Sequence, residues 1–445
     1  MLEVLNTLLW GPGTLTLILG TGAWLTLRTG GFPQRNLGRA LTLSLGREAR
    51  RKGRGGVSPF GSLMTALAST VGTGNIVGVA AALVSGGPGA LVWMELAALL
   101  GLATKFAECM LAVKYRRVRQ DGTRWGGPMA VMETRLGPAG AVWGRFYALF
   151  ALLMAFAMGA MAQSGALADT FSAAFTLPRW RVGLVTAALA LTILLGGIRR
   201  IADISTVLVP VMVLLYLGGG LAVILGNLRR LPEAVTLMLR CAVAPEAALG
   251  GALGIVTRRE ALRWGVARSV FSNEAGLGSA AITAACADTE DPVKQGLISM
   301  TGVFFDTMVI CAVTGLAICC SGTLGAADGN GRPLTGAALT LRAFETVLGP
   351  LAPWLIGVAL GLFAFTSVLG CAVQAETTAS YLLGPEAVRP CRVLYGLAVF
   401  AGAVIPMAAV LQLADLANAL MAFPNLVCLL LLSDEIAGEG RRKDR

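Results

Sequence analysis

A chain of 445 residues with 56% hydrophobic and only 14% charged side chains lies outside the soluble globular class, in which about a quarter of residues carry charge. A formal net charge of +11 would point to nucleic acid in a soluble protein. Here the Lys and Arg residues sit mostly in short loops between apolar stretches, where they orient a membrane chain instead, and no nucleic-acid partner is expected. The sequence has no histidine, the commonest proton relay and metal ligand, and its nine cysteines are scattered without a Cys-x-x-Cys pair.

The expected fold class is an all-α membrane protein with the lipid bilayer as its solvent. Apolar stretches long enough to cross a hydrocarbon core of about 30 Å give eleven spans, at 5–27, 59–85, 89–113, 143–168, 181–198, 206–226, 254–284, 295–321, 351–380, 391–410 and 412–432. Met1 to Leu27 lacks a basic leader and a small-residue cleavage site, so it reads as the first span rather than a removed signal. Asn36 to Arg47 and Thr335 to Leu348 are amphipathic; each is either a helix lying along the membrane surface or an ordinary loop helix.

With the N-terminus outside, the cytoplasmic side holds Arg28 to Arg54, Lys114 to Arg135, Arg199, Arg200, Lys294, Arg389, Arg392 and the tail Arg441, Arg442, Lys443 and Arg445. That distribution follows the positive-inside rule, with the run Arg229 to Arg268 as its exception, and places the C-terminus in the cytoplasm of a plasma membrane, the inner membrane in a bacterium.

Two spans are interrupted. The second contains Val71-Gly72-Thr73-Gly74-Asn75, and the seventh contains Phe271-Ser272-Asn273-Glu274-Ala275-Gly276-Leu277-Gly278. Glycine is a poor helix former, and a freed peptide group in hydrocarbon persists only where it lines a polar cavity. A single Gly-x-Gly also serves close helix packing. Two such segments at matching places, each with polar neighbours, favour unwinding. The breaks lie five spans apart, which divides the chain into 1–58 (first span and basic loop), a first five-helix repeat at 59–226, an extracellular connection at 227–253, a second repeat at 254–432 and a tail at 433–445. Five is odd, so the second repeat runs inverted to the first, an arrangement that places a transporter's site at the breaks.

An unwound helix offers N–H groups to a carboxylate and carbonyls to a cation. The amides of Thr73 and Gly74 are candidates for the first role. The carbonyls of Ala68 and Val71, with the side-chain oxygen of Asn75, are candidates for the second. Thr366 and Ser367 in span 9 add two hydroxyls, which either complete a neutral oxygen cage for a monovalent ion or bond back to their own helix. Glu274 faces either a substrate ammonium or cation, or the freed amides around Gly276. Gln163 bonds either a substrate amine or a neighbouring helix. Glu95, Glu108, Asp306, Glu376 and Asp415 are further acids inside or near spans; Glu108 has Lys105 on the adjacent turn, and none receives a role.

Val71 to Asn75, Gly86-Gly87-Pro88-Gly89, Thr104 to Glu108 with Ala112 to Arg116, Gly126-Gly127-Pro128-Met129, Gly265 to Arg268, Ser272 to Ser279, Phe363-Ala364-Phe365 and Met421 to Asn425 together resemble the alanine/glycine:cation symporter family. The resemblance runs in order through nearly the whole chain. It implies the inverted 5+5 fold of the bacterial leucine transporter with one extra N-terminal helix, and uptake of a small neutral amino acid driven by sodium, sometimes by protons. No organic cofactor is expected, and a membrane enzyme, a further rival, would need a nucleophile with a base or a metal cluster, which the absence of histidine speaks against. On that fold Thr366 and Ser367 match the more widely shared sodium site, Asn75 and Ser272 match a second one whose use in this family is open, and Phe271 and Leu277 become apolar pocket walls. The family's usual Trp after Leu369-Gly370 is replaced by Cys371, and the aromatics after Gly-Gly-Pro-Met by Ala130-Val131. The first change widens the pocket if it faces inward and admits a side chain larger than methyl. Proton coupling through Glu274 and a channel are the rivals; a channel would need a repeated polar lining, and no signal for an oligomeric state is present.

Overall fold

The computed structural model describes residues 9–53, 57–119, 122–243, 258–329 and 331–444. The start of the first span, the basic residue Arg54, the first residues of the seventh span and the last ten residues (244–253) of the 227–253 connection lie outside the described residues. Helix α1 covers Pro12–Arg28 and a short amphipathic α2 covers Leu37–Leu45. The first broken span is α3, Pro59–Thr70, and α4, Val77–Gly86. Its start is set by Ser58, whose Oγ accepts the Gly61 N–H at 3.0 Å, with Pro59 in the first turn where no donor is needed. Then come α5, Gly89–Lys114, a small hairpin of β1, Arg117–Val118, and β2, Arg124–Trp125, and a long α6, Pro128–Ser172. Helix α7 is Arg179–Leu194, α8 is Gly197–Gly226 and α9 is Leu231–Val243.

The second half repeats the pattern of a broken span followed by long helices. Its elements are α10, Arg258–Asn273, α11, Ser279–Ala285, α12, Pro292–Ser321, and α13, Gly336–Leu348. Four more follow: α14, Leu351–Leu383, α15, Val388–Val404, α16, Met407–Leu431, and α17, Ser433–Asp444. Among the described residues, seven helices are long and apolar enough to cross a membrane, or eight when the pair α3 and α4 is one bent span.

Three boundaries depart from the sequence expectation. Span 4 was expected from residue 143, but α6 begins at Pro128: Gly137 takes a left-handed angle (φ 62°), the chain kinks before Pro138, and the helix resumes. Helix α8 starts nine residues before the expected 206, directly after a tight turn at Leu195 and Gly196. Between spans 10 and 11 the break falls at Ile405 and Pro406 rather than at 411, because Pro406 adopts an extended ψ of 130° and opens the next helix.

Burial sorts the helices into an interior and a lipid-facing rim. The apolar windows of α5 and α14 are 83% and 78% buried within the protein, against 39% for α8 and 33% for α15. Large apolar residues on the rim helices, such as Leu214, Leu225 and Leu397, are exposed, as a hydrocarbon solvent requires. Inside, small residues set the approach of the backbones: a Cβ at Gly370 of α14 would lie 2.5 Å from the nitrogen of Ser69 in α3. Ion pairs gather at one end of the bundle, where Lys52 meets Asp203 at 2.6 Å, Lys114 meets Glu435 at 2.8 Å, Arg124 meets Asp288 at 2.6 Å, and Arg392 meets Glu376 at 2.8 Å. The nine cysteines are all free thiols.

Candidate functional site

The first break is short. Val71 leaves the helix with φ −73° and ψ 91°, Gly72 is extended, and one tight turn over Thr73–Asn75 leads into α4 at a bend of 63°. Asn75 holds this turn together. Its Oδ1 accepts the Gly72 N–H at 3.0 Å, which orients the amide and sends its Nδ2 to Asp306 Oδ1 at 2.8 Å and Ser272 Oγ at 3.0 Å. The peptide N–H groups of Thr73 and Gly74 take none of the backbone bonds of the described turns and caps. A side chain at Gly74 would meet nothing within 4 Å, so the turn opens there onto free space.

The second break is sealed by side chains from three helices. Glu274 adopts a left-handed angle (φ 54°), rare for a residue with a side chain, and Gly276 (φ 100°) and Gly278 (φ 75°) supply the rest of the turn. Glu108 of α5 accepts the Gly276 N–H at 2.9 Å and the Gly278 N–H at 3.2 Å on one carboxylate oxygen. The Ala275 N–H goes to Asn273 Oδ1 at 2.9 Å. On the acceptor side, Asn425 of α16 donates to the Gly276 carbonyl at 2.9 Å and to Glu108 at 2.7 Å, and the Tyr147 hydroxyl of α6 donates to the Leu277 carbonyl at 3.0 Å. The Glu274 carboxylate itself accepts from the Ser279 hydroxyl rather than from the freed amides. Peptide groups that leave a membrane helix must find such partners, and here the protein supplies them.

Between the breaks lies a fully buried acid. Asp306, in a widened turn of α12 over Phe304–Cys311, accepts from Asn75, from Ser272 Oγ at 2.6 Å and from Thr307 Oγ1 at 2.9 Å. Thus Asn75 and Ser272, expected to share a cation, are in contact, and their common partner is a carboxylate.

Helix α14 closes the other side of the first break. A Cβ at Gly72 would come within 2.9 Å of Ser367 Oγ and 3.6 Å of the Gln163 carboxamide, and the Thr73 hydroxyl donates to Gln163 Oε1 at 3.4 Å. At Gly370 the backbone of α14 touches that of Ala68 and Ser69. Ala68 and the turn after Val71 therefore adjoin the Ser367 stretch of α14, while the Thr366 hydroxyl also meets Met212 Sδ of α8 at 3.2 Å. Ser367 Oγ donates to the Phe363 carbonyl at 2.9 Å, and Thr366 Oγ1 to the Leu362 carbonyl at 2.9 Å. Each hydroxyl oxygen keeps lone pairs after donating, so the bond back to the helix and a cation cage are compatible.

The remaining candidates lie apart from this cluster. Phe271 lines an open cavity of about 230 Å³ together with Trp10, Trp264, Arg268 and Asp415, and the Arg268 guanidinium sits 5.6 Å from the centre of its ring. Leu277 is buried beneath the second break. Cys371 packs against Gly159 in the widened turn of α6 over Ala155–Ala162, where a Cβ on that glycine would clash with it and lie 3.0 Å from the Tyr395 hydroxyl.

Among solved structures, this bundle is similar to MhsT in complex with L-phenylalanine, with a TM-score of 0.59 at 15% identity over 84% of this chain and 88% of that one. The shared feature is the leucine-transporter-like fold. The model of the sodium:alanine symporter family matches residues 1–441. The chain belongs to the sodium:alanine symporter family. Relatives of this symporter chain include an uncharacterized transporter of Haemophilus influenzae, 43% identical over 99% of this chain and 94% of that one. They also include the sodium/alanine symporter AgcS of Methanococcus maripaludis, 40% identical over 99% and 96%, and the probable sodium/glutamine symporter GlnT of Bacillus subtilis, 36% identical over 97% and 87%. The protein is a multi-pass membrane transporter and not an enzyme.

For this symporter, sequence reading left four residues of the site without a role: Glu108, Asp306, Tyr147 and Asn425. The signal for the first two was present, because an ionisable group inside an apolar span is a functional hypothesis by default. Asp306 lies deep within α12 and Glu108 one turn and a half from the end of α5, so neither reaches water. Tyr147 and Asn425 act through hydrogen bonds to segments distant in sequence, and nothing local marks them.

Proposed function

We propose that this protein carries a small neutral amino acid of the alanine and glycine class into the cell together with sodium. The observation that carries the reading is the contrast between the two breaks: the peptide donors of the second are capped by Asn273 and Glu108, whereas those of Thr73 and Gly74 take no backbone partner in a turn where a side chain on Gly74 would meet nothing within 4 Å. A substrate carboxylate at the first break would receive those two N–H groups at the positive end of α4. Gln163, beside Thr73, and Glu274 would serve the ammonium. Sodium would take the carbonyls of Ala68 and Val71 with the hydroxyls of Thr366 and Ser367.

In this mechanism the ion organises the substrate site. Filling the oxygen cage fixes the Val71 turn, and that turn sets the direction of the Thr73 and Gly74 amides. Binding of either ligand then favours the other by the same coupling free energy, typically about 1–3 kcal/mol. Alternating access follows from rocking of two inverted five-helix repeats, 59–226 and 254–432, within an eleven-span chain whose N-terminus is outside and C-terminus is in the cytoplasm. The inner membrane of a bacterium is the setting that the relatives support.

The name of GlnT speaks for side chains larger than methyl within the family, whereas the cysteine in place of the family's tryptophan at 371 removes a large ring beside Gly159 rather than at the first break. Uptake of radiolabelled alanine, serine, threonine and leucine into proteoliposomes, with and without an inward sodium gradient, tests both parts. Sodium-driven accumulation of alanine and at least one larger substrate is expected. Uptake that survives sodium replacement and collapses with an uncoupler would assign the coupling to protons, and strict preference for alanine or glycine would refute uptake of the larger side chains.

A further inference from the structure

Lys105 is the least explained charge in the protein. It lies in the middle of the most buried membrane helix, α5, is 2% exposed, and its ammonium has no hydrogen-bond partner among the described residues. Its direction follows from helical spacing. Gly101, Lys105 and Glu108 are four and three residues apart and share one face. Gly101 lies against the second break, 3.2 Å from the Ala275 Cβ when a Cβ is added, and Glu108 bonds the amides of that break. The ammonium therefore points into the space between the breaks. Three buried carboxylates border that space: Glu108 on the same face, Glu274 in the second break and Asp306 between the breaks. One oxygen of Glu108 is likewise buried without a partner.

A charge at this depth is costly unless compensated, and the cluster holds more acids than cations. We propose that Lys105 is a tethered counter-cation for the Glu108–Glu274–Asp306 cluster, taking the part that a second coupling ion from solution would otherwise play. This rests on the sodium-symport reading. A tethered cation offsets one negative charge of the cluster without crossing the membrane, so it contributes nothing to the charge moved per cycle. The amide group of Asn75 already points its N–H donors at Asp306, which fills from within the place beside Ser272. Only the cage at Ala68, Val71, Thr366 and Ser367 is left to exchange an ion with solution.

The charge carried per alanine, read from the reversal potential of flux in proteoliposomes, tests this. Wild type and Lys105→Arg should each move about one positive charge per alanine, and Lys105→Gln about two, because an ion from solution must then replace the lost ammonium. Lys105→Gln combined with Glu108→Gln removes a charge of each sign and should return the ratio to about one. A ratio of two in wild type, or of one in Lys105→Gln, would overturn the proposal, as would loss of uptake in Lys105→Gln that the double variant does not regain. Absence of any sodium-driven flux in wild type is a separate result and would remove the symport reading itself.

Discussion

Replacing Glu108 by alanine should damage the protein more than any other single change at the site. The side chain is 2% exposed and accepts three hydrogen bonds, from Gly276 N at 2.9 Å, Gly278 N at 3.2 Å and Asn425 Nδ2 at 2.7 Å. A buried donor left without an acceptor costs about 1–3 kcal/mol, so three orphaned donors sum to roughly 3–9 kcal/mol, comparable to the whole stability of an ordinary domain. Glu108→Gln keeps one acceptor oxygen and loses only the charge. Since charge-assisted bonds are about twice as strong as neutral ones, its cost should be nearer 1–3 kcal/mol. Thermal unfolding in detergent, with and without saturating alanine and sodium, reads both. The alanine variant should melt well below the glutamine variant, and ligand should not bring it back to the wild-type midpoint, because the substrate carboxylate belongs at the other break. Wild-type melting of Glu108→Ala, or full rescue by alanine, would refute the view that the second break is sealed by the protein itself.

Three further outcomes follow from the geometry. Removing both hydroxyls, Thr366→Ala with Ser367→Ala, should raise the sodium concentration for half-maximal uptake about tenfold or more, the equivalent of about 1.4 kcal/mol of lost coordination; unchanged sodium dependence would dismiss the cage. Gly370→Val should abolish uptake, since its Cβ would lie 2.5 Å from Ser69 N and 2.9 Å from the carbonyl carbon of Ala68, backbone atoms that cannot yield, while Gly357→Ala on the same helix meets nothing within 4 Å and should transport normally. In the tail, burial raises the Glu435 carboxyl, but hydrogen bonds from Lys114 and Tyr115 outweigh it and hold it below the ordinary range. A depressed carboxylate stabilises above its unfolded value and loses that contribution as pH falls through its folded one. Hydrogen exchange across α17 should therefore stay slow at about pH 5 and quicken only below about 4.3, and Glu435→Gln should exchange faster at pH 5.

Most of the fold was legible because hydrocarbon leaves a chain few choices: an apolar run of about 20 residues must be a helix. The breaks were legible for the converse reason, since Gly72, Gly74, Gly276 and Gly278 stand where a membrane helix would otherwise continue. What stayed hidden was the identity of the partners. Glu108 lies 168 residues before Gly276 and Asp306 lies 231 after Asn75, and no local pattern tells which buried acid will meet which freed amide. Helix α9 was hidden as well: Leu231–Val243 is too short and too mixed to read as a span, and it packs against α5, where the Ala242 carbonyl accepts from Trp93 at 3.1 Å. The start of α6 was misplaced because Gly137-Pro138 looks like a terminator: the chain does leave the helix there, at a φ of 62°, but a helical stretch from Pro128 precedes the kink.

An experimental structure with alanine and sodium bound would probe the heart of this account. The substrate carboxylate should lie within about 3 Å of the Thr73 and Gly74 nitrogens, with the ion beside Ser367 and the second turn still held by Glu108. Density for the carboxylate at Gly276 and Gly278, with Glu108 swung away, would contradict it.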